Sequence, residues 1–251
     1  MSELVAAGQA RNPAWADTHG APGAHPSSSQ NSWSADDIAE SQDEFHNPFK
    51  IRVANTSRAS SLVQRRYAWR GYSTSPLENH GNGRVTLAAC VDDSTVATIT
   101  ATLDAHNDLY VGRLYAQEVE TLRAQGRKLC EFTKLAVDES VRSQAVLGAI
   151  FHVACMYVIN IHHCTDVLVE VNPRHVRFYE RMLGFTRAAG ERLDPAVNAP
   201  AVLLRLDLKH CAAEIARLGG RRRADGRERS FYPYFFAPEE AAAIVGRLGF
   251  H

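Results

Sequence analysis

One carboxylate inside an apolar run constrains this chain more than any other feature. Residues Lys128-Leu129-Cys130-Glu131-Phe132-Thr133-Lys134-Leu135-Ala136-Val137-Asp138 read as a buried strand over Leu129–Val137, with Glu131 in its interior. Burying a carboxylate is costly unless it is paired or put to use, so Glu131 needs a reason to be there. Three readings stay open on these residues alone. The segment is a surface strand with Glu131 and Lys134 in solvent, or Glu131 is ion-paired with Lys134 or Arg127, or it works in a site. Residues 131 and 134 face opposite sides of a regular strand, so they can share a site only across a bulge.

The 251 residues, 45% of them hydrophobic, suffice for one domain with a sizeable core. Net charge is zero but uneven. Residues 1–45 hold seven acids and one base, Arg11, which leaves the rest of the chain at about +6. A basic body suits an acidic partner and equally an ordinary solvated surface. Nothing resembling a nucleic-acid recognition module accompanies the basic residues, so no nucleic-acid binding is expected. Five scattered cysteines with no Cys-x-x-Cys pair argue against a disulfide framework and for a reducing compartment. His162-His163-Cys164 is not expected to bind metal, because adjacent side chains diverge and no second cluster supplies ligands. Met1–Ala10 has neither a basic start nor an apolar core, so a cytoplasmic protein without a leader is expected. Ala145–Ile161 is apolar enough to approach membrane-spanning length, but it contains His152 and Asn160 and reads as a core helix.

Along the chain, residues 1–45 are too poor in aliphatic side chains to fold alone and are expected to be disordered or loosely attached. Phe49–Val53 alternates as a strand, and a helix from Ser57 or Ser60 runs to about Gly71. Arg84–Val91 and Val96–Leu103 form a hairpin around Asp92-Asp93-Ser94-Thr95. A helix over Tyr115–Gln125 is stopped by Gly126. After the Glu131 strand, a long helix runs from Ser140 or Ser143 to about Asn160. Asp166–Val171 reads as a buried strand, Pro173 opens a helix ending at Gly184, and Thr186–Ala189 and Val202–Leu208 are the final strands. The order is β-α-β-β-α-β-α-β-α-β-β, an α/β (α+β) architecture with a mixed sheet flanked by helices over 46–208. Residues 209–251 form a helical extension: a helix (Cys211–Leu218), an Arg-rich loop (Gly219–Arg229), an aromatic patch (Phe231 to Phe236) and a last helix, Pro238–Leu248.

Three elements resemble the Gcn5-related N-acyltransferase (GNAT) superfamily over about residues 50–208. They are the Glu131 strand, the segment from Asn172-Pro173 through Phe178-Tyr179 to Gly184-Phe185, and the run from Thr98 to Asp138. The last of these resembles the long-chain N-acyl amino acid synthases of the FeeM type, relatives of the acyl-homoserine-lactone synthases. The resemblance implies an acyltransferase that moves a fatty acyl group from the phosphopantetheine of acyl carrier protein, with acyl-CoA as the alternative donor, to the amine of an amino acid. No tightly bound cofactor and no metal is implied. It implies that Glu131 is the general base, that a bulge splays the strand, and that backbone N–H groups at Leu135, Ala136 and Val137 bind the thioester oxygen. Tyr179 matches the position that protonates the leaving thiolate, and a packed aromatic is the alternative. Arg66, with Lys134, is implied in binding the acceptor, and a guanidinium suits an α-carboxylate; a solvated helix face is the other reading for Arg66. Arg142 and Asn172 are implied on the donor side.

A departure matters as well. CoA-dependent relatives carry a glycine-rich turn after the Glu strand, whose amides cradle the pyrophosphate at a helix N-terminus. Here Arg142-Ser143-Gln144-Ala145-Val146-Leu147 offers no glycine before Gly148. Without glycine the backbone approaches a pyrophosphate less freely, which favours the single phosphodiester of acyl carrier protein. The cluster Arg221–Arg223, Arg227 and Arg229 could receive that acidic carrier or be a solvated tail. No integral membrane segment is expected, and peripheral contact through an acylated product stays open. A catalytically silent carrier-binding module is the reading from another class.

Overall fold

In the computed structural model, residues 49–54, 56–68, 83–105, 107, 109–139, 141, 143–221 and 228–248 are described. The segment 1–45, Arg142, and most of the Arg-rich loop (222–227) lie outside them. The strands are β1 (Lys50–Val53), β2 (Arg84–Val91), β3 (Ser94–Leu103), β4 (Leu129–Val137), β5 (Asp166–Val171), β6 (Thr186–Arg187), β7 (Arg192–Asp194) and β8 (Ala199–Asp207). They form an eight-stranded sheet in the order β1-β2-β3-β4-β5-β8-β6, with β7 paired to β8. The β4–β5 pair is parallel and the other described pairs are antiparallel. The helices are α1 (Thr56–Ala68), α2 (Ala116–Ala124), α3 (Gln144–Met156, continued by a π-turn to Ile161), α4 (Val176–Leu183), α5 (Leu208–Leu218) and α6 (Pro238–Leu248).

Two details correct the sequence expectation. The β2–β3 turn is two residues rather than four. Asp92 and Asp93 sit at φ 46° and 61°, so Val91 pairs directly with Ser94. Such a tight hairpin needs left-handed backbone at both central residues, and Asp is among the few side chains that tolerate it. The strand β7 was not anticipated, since Arg-Leu-Asp is too short to carry a periodic signal.

The sheet has two faces of different character. On one, Leu87, Ile99, Cys130, Phe132, Val167 and Val169 pack with α3 and α4 in the main core. Helix α3 is buried from Val146 through Met156 because it is covered on its far side as well. The aromatic patch does this: Phe231, Tyr232 and Phe235 are buried in the same core. A Cβ added at Gly148 would lie 2.8 Å from Cβ of Tyr234, so this glycine admits the aromatic segment. The Nδ1 of His152 accepts the Phe236 N–H at 2.9 Å, and burial lowers that imidazole's pKa to about 4, which keeps it a neutral acceptor. This is why an 18-residue apolar stretch, Gln144–Ile161, is 72% buried within the fold.

The other face divides between two smaller clusters. Helix α1 lays Ala59, Leu62 and Val63 on Ala88, Cys90 and Ala136. Further along, Leu109, Val111, Tyr115, Val119 and Leu122 cover Leu129, Leu168 and Leu203. Buried threonines lie nearby on β2 and β3: Thr86 and Thr100 share a hydroxyl hydrogen bond of 2.8 Å, and Thr102 pairs in register with Glu131.

Candidate active site

Strand β4 changes partner relations halfway along its length. Leu129, Cys130 and Glu131 pair with Asp166, Val167 and Leu168, and no pairing with β5 follows. Against β3, Thr133 pairs with Thr100 and Ala136 with Thr98, so Lys134 and Leu135 together oppose Ile99. That is a bulge, and Lys134 takes the strain at φ 51° while its carbonyl accepts the Thr98 hydroxyl at 3.0 Å. Side-chain facing agrees. Phe132 and Val137 both point into the main core although they are five residues apart, which regular alternation forbids. The Asp138 N–H bonds to Val96 on the β3 side. Neighbouring residues in a strand direct their amides oppositely, so the Val137 N–H turns towards the gap between β4 and β5.

Glu131 stands where the gap opens, on the face covered by residues 109–122, and is 1% exposed. Its Oε2 accepts the Tyr110 N–H at 2.6 Å, at the start of a 3₁₀ turn (Tyr110–Arg113) that the sequence did not reveal. Its Oε1 is buried with no partner among the described residues. Arg127 is not its counter-ion, because that guanidinium holds Asp166 and Asp207. Burial dominates, and with Glu170 adding to it the carboxyl's pKa rises to about 8 despite the Tyr110 amide. A buried, raised carboxyl with one oxygen unused is poised to exchange a proton.

Three further residues join it that sequence reasoning missed. Glu170 follows Leu168 by two positions on β5 and so lies on the same face, beyond the last β4–β5 pair. Its Oε2 is buried without a partner among the described residues, and burial followed by Asp194 raises its pKa to about 7. Asp194 on β7 is buried, accepts the Ala196 N–H at 2.9 Å, and lies 3.5 Å from the Tyr110 hydroxyl. Glu170 did have a signal, since it is a lone carboxylate in Asp-Val-Leu-Val-Glu-Val, as Glu131 is in its own strand. Asp194 and Tyr110 had none, because one comes from a three-residue strand and the other from a 3₁₀ turn, both too short for a periodic signal.

The other expected residues are placed as follows. Arg66, its side chain 12% exposed, is ion-paired with Glu139, whose side chain is 62% exposed, and Arg65 reaches Asp138 at 3.6 Å. Helix α1 is thereby tied to the end of β4. Asn172 caps the turn before α4: its Oδ1 accepts the Arg174 N–H at 3.2 Å and its amide donates to the Pro200 carbonyl at 3.3 Å. Tyr179 is half-buried on α4 with its ring edge-on to Phe178 and Phe185. Arg142 lies outside the described residues. Ser143 precedes α3 in extended conformation, and its buried Oγ has no partner among them. No group of three or more His, Cys, Asp or Glu suited to a metal ion occurs among the described residues.

The model of a family described as "N-acyl amino acid synthase FeeM" matches residues 58–207, well over half of the chain. The chain belongs to the FeeM family of N-acyl amino acid synthases. It is therefore an acyltransferase, and the family's activity is N-acyl amino acid synthesis. Its fold is similar to that of FeeM from uncultured soil microbes, with a TM-score of 0.60 and 24% identity, covering 68% of this chain and 95% of that one. An acyl-CoA N-acyltransferase from Pseudomonas aeruginosa aligns at 13% identity and a TM-score of 0.45, over 63% of this chain and 98% of that one. No curated protein matches the chain. FeeM-family membership and the mixed eight-stranded sheet together establish the GNAT fold expected from the sequence.

Proposed function

We propose that this protein transfers a long-chain fatty acyl group from the phosphopantetheine of acyl carrier protein to the amino group of an amino acid, with Glu131 as general base. The observation that carries the base role is the unpaired Oε1 of a buried glutamate at the mouth of the β4–β5 gap. The thioester would lie in that gap with its carbonyl oxygen on the Val137 N–H. Glu131 would take a proton from the attacking amine, and the departing thiolate would need little acid help from Tyr179.

Two features support a carrier protein over CoA. The first turn of α3 offers Ser143 and no glycine, and Gly148 is committed to Tyr234. Such a terminus suits one phosphodiester better than a pyrophosphate. For the acceptor, Arg66 is held in place while Glu139 can swing into water, so a substrate α-carboxylate could replace Glu139 on the guanidinium. All five cysteines are free thiols, four of them buried, which is compatible with a cytoplasmic protein.

The test is a competition between acyl carrier protein and CoA thioesters of the same chain, with amino acids offered as a mixture and products read by mass spectrometry. A kcat/KM favouring the carrier protein, weakening as salt rises, is expected. Equal kcat/KM values without salt dependence would remove the carrier protein from this account.

A further inference from the structure

Acylating an amine requires two protons to leave nitrogen. The acceptor enters as an ammonium, loses one proton to become a nucleophile, and loses a second once nitrogen has bonded to the carbonyl carbon. The C–S bond then breaks and the thiolate takes one proton. The other must reach solvent. One carboxylate serves both removals only if it discharges between them, and here two carboxylates face the opening of the same gap.

We propose that Glu170, set against Asp194, is the second proton acceptor of the amine site: it takes the first proton from the ammonium and, being itself partly exposed, releases it to solvent. That leaves Glu131 for the proton released as the C–N bond forms, which then goes to the thiolate. The inference rests on the reading of Glu131 as base, and three observations carry it. Glu131 and Glu170 each present a buried, unpartnered oxygen, and they lie on the same sheet face on either side of the splay. Among the described residues neither carboxylate is held in an ion pair: Arg192 is bound by Glu118 and the Leu114 carbonyl, and Arg84, which donates to Thr102, offsets only part of the rise at Glu131. The acceptor's ammonium is a cation complementary to this pair. Glu170 also lies against Asp194, whose carboxylate adds to burial in raising the Glu170 pKa to about 7, so Glu170 takes up a proton readily near neutral pH. Tyr110 links the two ends, its amide on Glu131 and its hydroxyl towards Asp194. Among the described residues, Tyr115, Arg113 and Glu191 are further titratable neighbours.

The experiment compares an amino acid acceptor with its aminooxy analogue, whose nitrogen is uncharged at neutral pH and has no first proton to lose. For Glu170→Gln, the amino acid should be acylated about 100-fold more slowly at pH 7, a typical cost of losing a proton acceptor. The aminooxy acid should be acylated within about threefold of the parent rate. Asp194→Asn should show the same selectivity with a smaller loss, whereas Glu131→Gln should slow both acceptors. Equal losses for both acceptors in Glu170→Gln, or no loss for either, would overturn the assignment. So would a Glu170→Gln protein that unfolds, because it would make the carboxylate structural. Full turnover in Glu131→Gln would remove the base reading instead, and the Glu170 comparison reads out separately from it.

Discussion

The two ends of the β4–β5 pair solve the problem of a buried carboxylate in opposite ways. At the closed end, Asp166 is fully buried and held by two guanidiniums: Arg127 at 2.5 and 3.0 Å and Arg205 at 2.6 Å. Burial pushes its pKa up, but the hydrogen bonds from Arg127, Thr165 and Arg205 outweigh that and hold it below the usual carboxylate range. At the open end, Glu131 is buried and Glu170 half-buried, neither in an ion pair among the described residues, and both rise. The closed end clamps β4, β5 and β8 together, and the open end is left short of partners where the strands part. A buried charge with its counter-ions holds a fold together, whereas one without them is costly and waits for a substrate.

The largest effect that would break this contrast is at Asp166. Asp166→Asn leaves two arginines facing a neutral amide, and removing one partner of a buried pair costs about 3–5 kcal/mol. The two arginines still reach water, so the lower end of that range is expected in denaturant unfolding, while the folded fraction keeps its kcat. A loss of kcat without a loss of stability would mean that the two ends are not distinct.

Glu131→Gln should act in the reverse direction on stability. Below the unfolded pKa of about 4.5 the carboxyl is neutral in both states and contributes nothing. As pH rises from there towards the folded value of about 8, the unfolded chain releases a proton that the native state keeps, so native stability falls. Removing the carboxyl should therefore stabilise the protein at pH 9 by about 3–5 kcal/mol relative to wild type, and little at pH 4. Thermal melts of both proteins across that range check it. Destabilisation at pH 9 would show Glu131 to be a structural partner after all.

A smaller effect sharpens the comparison at a third ion pair, Arg66 with Glu139, which is half open to water. Arg66→Lys replaces a planar fork with a point charge and should raise the acceptor KM about 3–10-fold with kcat nearly unchanged. A decarboxylated amine should not sense the change. An equal response from both acceptors would return Arg66 to a purely structural role with Glu139.

Sequence reasoning placed the two strands and the buried position of Glu131 well, because both rest on local patterns, whereas it offered Arg127 as a partner of Glu131 rather than of Asp166. Leu129–Val137 and Asp166–Val171 were bounded to the residue by their apolar runs, and a bulge in the first of them followed from the resemblance, with its position at Lys134–Leu135 given by the structure. The open end was half legible. Glu170 sat in a run of the same kind as Glu131, yet pattern alone could not say that the two strands are parallel and in this register. Asp194 and Tyr110 come from a three-residue strand and a 3₁₀ turn, whose positions are fixed by tertiary packing rather than by periodicity. Glu139 as the partner of Arg66 was equally hidden, since 73 residues separate them. The role of the aromatic patch was missed for the same reason, because covering α3 depends on Gly148 letting Tyr234 approach.

The most direct measurement of the central claim is the pH dependence of kcat/KM for wild type and Glu131→Gln, using an aminooxy acceptor that stays uncharged throughout. That profile reports free-enzyme ionisations. With Glu131 as the base, the wild-type value climbs with pH to a plateau just above about pH 8, the folded carboxyl's pKa. Glu131→Gln should lose that limb and run about 10²–10⁴-fold below the plateau. A variant that keeps the same limb, or that stays within a few-fold of wild type at the plateau, would contradict the account.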